Sequence, residues 1–155
     1  MHINPDHYLE TEQGRVFTQQ RNKEAWAQCF QDLEHQFQSN AKLKKIYILI
    51  GAQGSGKTTW AISKNKDEPY NIVFDAILVK KQERRRIIER AQHFHIDCIA
   101  VYFDTSLEQC LSRNAKRSPD THVNETALSN VYRAIERPTL DEGFTEIIIS
   151  ETQII

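Results

Sequence analysis

Cysteine is scarce in this chain: Cys29, Cys98 and Cys110 are the only three, an odd number with no C-x-x-C spacing. That argues against a disulfide scaffold or a zinc site and fits a reducing compartment, so a cytoplasmic protein is expected. Long apolar runs are missing too. The strongest, residues 46–50, falls far short of the roughly 20 residues that span a bilayer, and no basic start followed by an apolar stretch marks a secretory leader. Neither sign of charge dominates. Twenty basic residues stand against 21 acidic ones, with a pI near 6.6, which excludes a generally polycationic surface and with it tight, sequence-blind coating of nucleic acid. A local basic groove remains open. Only four prolines and five glycines punctuate the sequence, and no repeat or low-complexity block stands out. What remains, 155 residues of which 39% are hydrophobic and 26% charged, is the composition of a folded domain, expected to be single over 1–155.

Short runs rich in β-branched and aromatic residues, without alternation, predict strands buried on both faces. They fall at 45–50, 71–75, 98–103 and 146–150. Helical stretches separate them at 57–66, 82–94, 107–113 and 124–137. The second carries Ile87, Ile88 and Ala91 on one face, with charge elsewhere. Strands alternating with helices predict βαβ units and therefore an α/β fold with a parallel sheet covered on both sides. Ahead of all this, residues 20–38 place Ala25, Trp26, Cys29, Phe30, Leu33 and Phe37 at helical spacing. Residues 1–6 fit a fifth, short strand ending in a turn.

The strongest signal is Gly51-Ala52-Gln53-Gly54-Ser55-Gly56-Lys57-Thr58. It matches G-x-x-x-x-G-K-[ST] and lies between an apolar strand and a helix, the context that gives the motif its meaning. Glycines let the backbone turn its N–H groups into a nest for phosphates, and the helix that follows adds its positive end. Lys57 supplies a cation for the β- and γ-phosphates, and the Thr58 hydroxyl is placed to ligate Mg²⁺. ATP is the expected nucleotide and the fold is expected to be a three-layer P-loop NTPase type, with five strands.

Beyond the loop the chain resembles the polynucleotide 5′-kinase family of P-loop phosphotransferases. The resemblance rests on Thr59-Trp60-Ala61 after the lysine, on Ile72-Val73-Phe74-Asp75 followed by Glu83-Arg84-Arg85, and on Tyr102-Phe103-Asp104-Thr105-Ser106-Leu107. It continues through Arg113-Asn114-Ala115-Lys116-Arg117, which resembles the family's arginine-bearing lid, to Arg137-Pro138-Thr139-Leu140-Asp141-Glu142-Gly143-Phe144. The family places a strand ending in a catalytic Asp between the P-loop helix and the strand that Asp75 ends. Here only residues 64–71 lie there. The missing unit resembles the N-terminus instead: Ile3-Asn4-Pro5-Asp6-His7-Tyr8-Leu9, then a helix with Asn22, Ala25 and Trp26. A rearranged order is therefore expected, with the base-bearing strand first in sequence yet outside the Asp75 strand in the sheet. The competing reading of Asn4-Pro5-Asp6 is a plain turn.

The resemblance implies ATP- and Mg²⁺-dependent phosphoryl transfer to a hydroxyl, with the 5′-OH of a polynucleotide as acceptor. It implies Asp6 as general base, Lys57 and Arg117 as catalytic cations, and Gly51, Gln53, Gly54, Ser55, Gly56, Lys57, Thr58, Thr59 and Arg113 around the nucleotide. Thr58 and Asp75 are the metal-side candidates, Asp75 equally readable as ordering its loop. Arg113, Lys116 and Arg117 can also be a solvated basic helix end. The basic run Lys80, Lys81, Arg84, Arg85, Arg86, Arg90 reads as a solvated helix face or as a nucleic-acid backbone track. Asp104 reads as part of a capped helix start, His93 and His95 as helix-end residues, and Trp26 and Trp60 as core. In some members an Arg three residues after the base grips the substrate; here Leu9 stands there. Two alternatives stay open: a small-molecule or toxin-like kinase of the same fold class, and a non-catalytic ATP-binding switch. An exposed strand edge could also pair with another chain.

Overall fold

In a computed structural model, residues 1–151 are described. Five strands form one parallel sheet: β1 (His2–Ile3), β4 (Lys45–Ile50), β5 (Ile72–Phe74), β6 (Asp97–Asp104) and β7 (Glu146–Glu151). Its spatial order is β1-β5-β4-β6-β7. Five α-helices accompany it: α1 (Gln19–Ser39), α2 (Lys57–Asp67), α3 (Lys81–His93), α4 (Leu107–Ala115) and α5 (Glu125–Ala134). Between β1 and α1 lies an antiparallel hairpin, β2 (Glu10–Thr11) and β3 (Gly14–Arg15), which the sequence pattern did not announce.

The central strand explains its own composition. Ile46, Ile48 and Ile50 of β4 join one core cluster with Cys29, Leu33 and Phe37 of α1 and Ile87, Ile88 and Ala91 of α3. Tyr47 and Leu49 point to the other face, packing with Val73, Ile99, Val101 and Ala61 of α2. Both faces are covered, so no alternation with polar residues is needed. Leu128 and Cys110 pack with Ala52 in a third cluster, seating α4 and α5 behind the phosphate-binding loop. All three thiols are buried and unpaired.

The N-terminal strand occupies the sheet edge expected for it, outside β5, with His2 opposite Val73 and Ile3 opposite Phe74. It is shorter than the expected 1–6: two residues of strand give way to a 3₁₀ turn over Pro5–Tyr8. Asn4 caps that turn by accepting a hydrogen bond from the Asp6 N–H at 2.9 Å. Strand and turn therefore both exist, one feeding the other. The last helix also ends early, at Ala134 instead of residue 137, where Ile135 turns extended and the Glu136 N–H donates to the Val79 carbonyl.

Arg84 corrects the picture of a continuous basic face or track. It is fully buried, forming two bonds to the Glu142 carboxylate (2.9 and 3.1 Å) and donating to the carbonyls of Leu78, Val79 and Glu136. The same carboxylate accepts from the Thr139 N–H at 2.9 Å. Two motifs 58 residues apart, Glu83-Arg84-Arg85 and Pro138-Thr139-Leu140-Asp141-Glu142, are thus halves of one buried clamp. Arg86 lies over the Phe30 ring and Arg90 pairs with Glu34, both on α1. Of the basic run, Arg84 serves the core clamp, Arg86 and Arg90 contact α1, and Lys80 and Arg85 are exposed.

Candidate functional site

The phosphate-binding loop leaves the carboxyl end of β4 and enters α2. A Cβ on Gly51 would sit 2.5 Å from Ser55 Oγ, and one on Gly54 only 2.7 Å from the Cys110 carbonyl, with Gly54 at φ +80°. Neither position tolerates a side chain as it stands. The Thr105 hydroxyl donates to the Ser55 carbonyl at 3.0 Å, pinning the loop to the end of β6. No side chain caps α2 and no acid occupies its first turn, so its free N–H groups and positive end face the loop, a preformed anion site. Gln53 Oε1 and Ser55 Oγ are buried without a hydrogen-bond partner, as expected where a ligand is to complete the set.

Lys57 is 7% exposed and its Nζ donates to the carbonyls of Gly51 (2.8 Å) and Ala52 (3.2 Å). Burial pulls its ammonium below the usual lysine range, with the nearby Asp75 carboxylate acting in the opposite sense. An arriving phosphate would relieve that desolvation by supplying negative charge.

Asp75, at the end of β5, is 2% exposed. One carboxylate oxygen accepts three hydrogen bonds: from His2 Nε2 (2.9 Å), Asn4 Nδ2 (3.0 Å) and the Thr58 hydroxyl (2.9 Å). Burial alone would raise its pKa. The His2 hydrogen bond, the Lys57 charge and the Thr58 hydroxyl together outweigh burial and hold the carboxyl below its ordinary value. The Thr58–Asp75 pair beside an anion nest is the donor set that suits Mg²⁺, which keeps most of its waters and takes few protein ligands. Among the described residues no cluster of three or more His, Cys, Asp or Glu side chains offers an all-protein metal cage.

A cavity of about 650 Å³ opens beside the loop and brings Asp6, Lys57, Thr58, Asp75, Arg117 and Arg15 to one space. Asp6 lies in the 3₁₀ turn after β1, and its carboxylate faces Arg15 Nη1 at 3.2 Å. Arg117, on the turn after α4, makes no hydrogen bond or ion pair through its guanidinium among the described residues and lines the same cavity. The segment that follows it is held by Asn114, fully buried, whose amide donates to the Val123 carbonyl and accepts from the Val123 N–H.

Not every expected residue meets here. Arg113 lies outside the cavity, its Nη1 donating to the Gly54 carbonyl at 3.1 Å. Thr59 is exposed on the first turn of α2, away from the cavity. Of the loop, Gln53, Lys57 and Thr58 line the space, while Gly51, Gly54, Ser55 and Gly56 shape the turn behind it. Asp104 ends β6, exposed, and Ser106 caps α4 just beyond it. Trp60 packs in the core with Tyr47 and Phe103, but Trp26 packs against Phe30 and Phe74 and also lines the cavity. Arg15 escaped sequence reasoning altogether, because its hairpin lacks the Asn-Gly or Asp-Gly pair that advertises a tight turn. Asn4 had only its place in the motif to mark it.

A five-stranded parallel sheet with a phosphate-binding loop at the carboxyl end of its central strand defines a nucleotide-binding domain of the P-loop NTPase type. Residues 62–138 match the model of a family described as an AAA domain. The matched stretch starts within α2, so neither the loop nor the N-terminal strand contributes to it. No curated protein matches the chain. No helix among the described residues is long and apolar enough to cross a membrane.

Proposed function

We propose that the chain transfers the γ-phosphate of ATP to a hydroxyl, with the 5′-OH of a nucleic-acid end as acceptor. The observation that carries this is the meeting of Asp6 with Lys57, Thr58 and Arg117 in one cavity, although Asp6 lies 51 positions before the lysine in sequence. Asp6 accepts the proton of the attacking hydroxyl as the oxygen–phosphorus bond forms, and the bond to ADP breaks. Lys57 and Arg117 hold the phosphate oxygens while charge shifts toward the leaving group, Arg117 through a guanidinium that can bind two oxygens at once. Thr58 and Asp75 would hold Mg²⁺, which would neutralise phosphate charge.

Labelled phosphate from γ-labelled ATP, offered with Mg²⁺ to 5′-OH RNA, 5′-OH DNA or no acceptor, tests the reading. Label on an oligonucleotide end, abolished in Asp6→Asn while ATP binding persists, is the expected result. Full transfer by Asp6→Asn refutes the base assignment.

A small hydroxyl acceptor is the second reading, and one observation favours it. Leu9, buried at 2%, stands where an acceptor-gripping Arg would be, and Arg15, the cation nearest Asp6, is already paired with Asp6 and Glu10. A long polyanion would find few free cations there. Salt-indifferent acceptor affinity would support this reading over the nucleic-acid one.

A further inference from the structure

The acceptor half of the cavity has a second feature, independent of the charged groups. Asn22 and Trp26 are four residues apart on α1, hence on one face of that helix, and both line the cavity. Trp26 is backed by Phe30 and Phe74, at ring-centre distances of 6.1 and 6.2 Å, which fixes its plane. The Asn22 side chain makes no hydrogen bond among the described residues, while its backbone N–H donates to the Thr18 carbonyl. Phe17, just before the helix, lines the same space while 65% exposed. Two aromatic side chains at a cavity mouth offer an apolar contact for a flat ring, and an amide with free donors and acceptor beside them can read its polar edge.

We propose that Trp26, Phe17 and Asn22 form a subsite for a nucleobase, so that the acceptor is a nucleoside or nucleotide whose sugar hydroxyl faces Asp6. The ring contacts the aromatic side chains and Asn22 bonds to the base edge. A plain sugar or polyol would leave Phe17 exposed and use only part of the platform. The base carries no charge, so this recognition is insensitive to salt and compatible with a cavity whose nearest cation, Arg15, is already paired. The inference rests on the phosphotransfer reading above and names the chemical class of its acceptor.

Transfer from γ-labelled ATP tests it, comparing a 5′-OH trinucleotide with the same trinucleotide carrying an abasic 5′-terminal residue. Free nucleosides and a set of simple sugars and polyols are run beside them. The wild-type protein is expected to lose about 10-fold or more in kcat/KM on the abasic end, in line with stacking on one aromatic platform. Asn22→Ala and Trp26→Leu are expected to shrink the base-dependent ratio to about 2-fold through KM, and Trp26→Phe to keep most of it. Label on free nucleosides as well would place the source in monomers, and label on trinucleotides alone in nucleic-acid ends; either supports the subsite. Equal wild-type transfer to abasic and base-bearing ends overturns it, and this comparison needs no variant to fold. Asp6-dependent label on sugars or polyols alone also overturns it, leaving phosphotransfer intact. Label on nothing, with ATP bound, removes the phosphotransfer reading and the subsite with it.

Discussion

Replacing Glu142 by Gln tests whether the conspicuous motif residues Arg84 and Glu142 hold the fold or the ligand. The Arg84 side chain is 0% exposed and that of Glu142 8%, so solvent screens the pair little. Gln keeps the shape and one carbonyl oxygen, but loses the charge and turns an NH₂ toward either Arg84 or the Thr139 N–H. Three backbone carbonyls still accept from the guanidinium, so its donors are not stranded. The cost then lies near the lower end of what breaking a buried pair entails, about 3 kcal/mol. For a domain of this size that is a fall in Tm of about 6–12 °C. Thermal and urea unfolding would measure it, with Arg84→Met and the double variant completing a cycle. The two single losses should exceed the double loss by at least about 1.5 kcal/mol, because the same interaction is counted twice. The nucleotide-induced rise in Tm should survive in Glu142→Gln. A variant within about 0.5 kcal/mol of wild type would refute the clamp, and normal stability with lost nucleotide binding would move Glu142 to the site.

Lys57→Met should abolish the nucleotide-induced rise in Tm, yet leave the nucleotide-free protein within about 1 kcal/mol of wild type, because a desolvated charge is removed along with its bonds to two carbonyls; a wild-type thermal shift on ATP would contradict the assigned role. Gly54→Ala meets the Cys110 carbonyl at 2.7 Å from a φ of +80° and should cost roughly 2 kcal/mol in urea unfolding together with most nucleotide affinity; a neutral outcome would mean the loop relaxes freely. The Glu68 carboxyl is held below its ordinary value of 4.5: burial pushes it up, but hydrogen bonds from Asn71 and Tyr47 and the charge of Lys64 outweigh that. Its stabilising contribution is therefore present above pH 4.5 and lost as pH falls through the lower folded value. Urea midpoints between about pH 3 and 7 should decline less steeply in Glu68→Gln than in wild type, and parallel curves would count against the shift.

What was legible in the sequence follows from how local each cause is. The strand at Lys45–Ile50 could be read because burial on both faces leaves an uninterrupted apolar run, and the loop after it because its glycines and lysine act within eight consecutive residues. Arg84 misled because its neighbours Arg85 and Arg86 are exposed, and nothing in a run of arginines says which one the fold will turn inward. Its partner lies 58 residues away. Arg15 was invisible for the related reason that its meeting with Asp6 depends on a hairpin whose turn residues, Glu12 and Gln13, carry no turn signature.

The placement of the candidate base shows why chain order mattered less than sheet order. Asp6 and the phosphate-binding loop are joined by no local connection. What sets their distance is β1 docking on β5, fixed by backbone bonds from Val73 and Asp75 to the carbonyls of Met1 and Ile3, and β5 docking in turn on β4. Position at the carboxyl edge of a parallel sheet is a property of strand order and direction, and both survive when a strand and its helix precede the loop in sequence. The cost is that two residues of edge strand carry the alignment. Asp75 compensates by binding His2, Asn4 and Thr58 through one oxygen, which locks the N-terminal segment, β5 and the loop helix at a single point. Asn4 extends that lock to Asp6 by accepting its N–H. The site is thus assembled by side-chain bonds between segments some 70 residues apart, which makes Asp75 the point where the N-terminal segment, β5 and the loop helix meet.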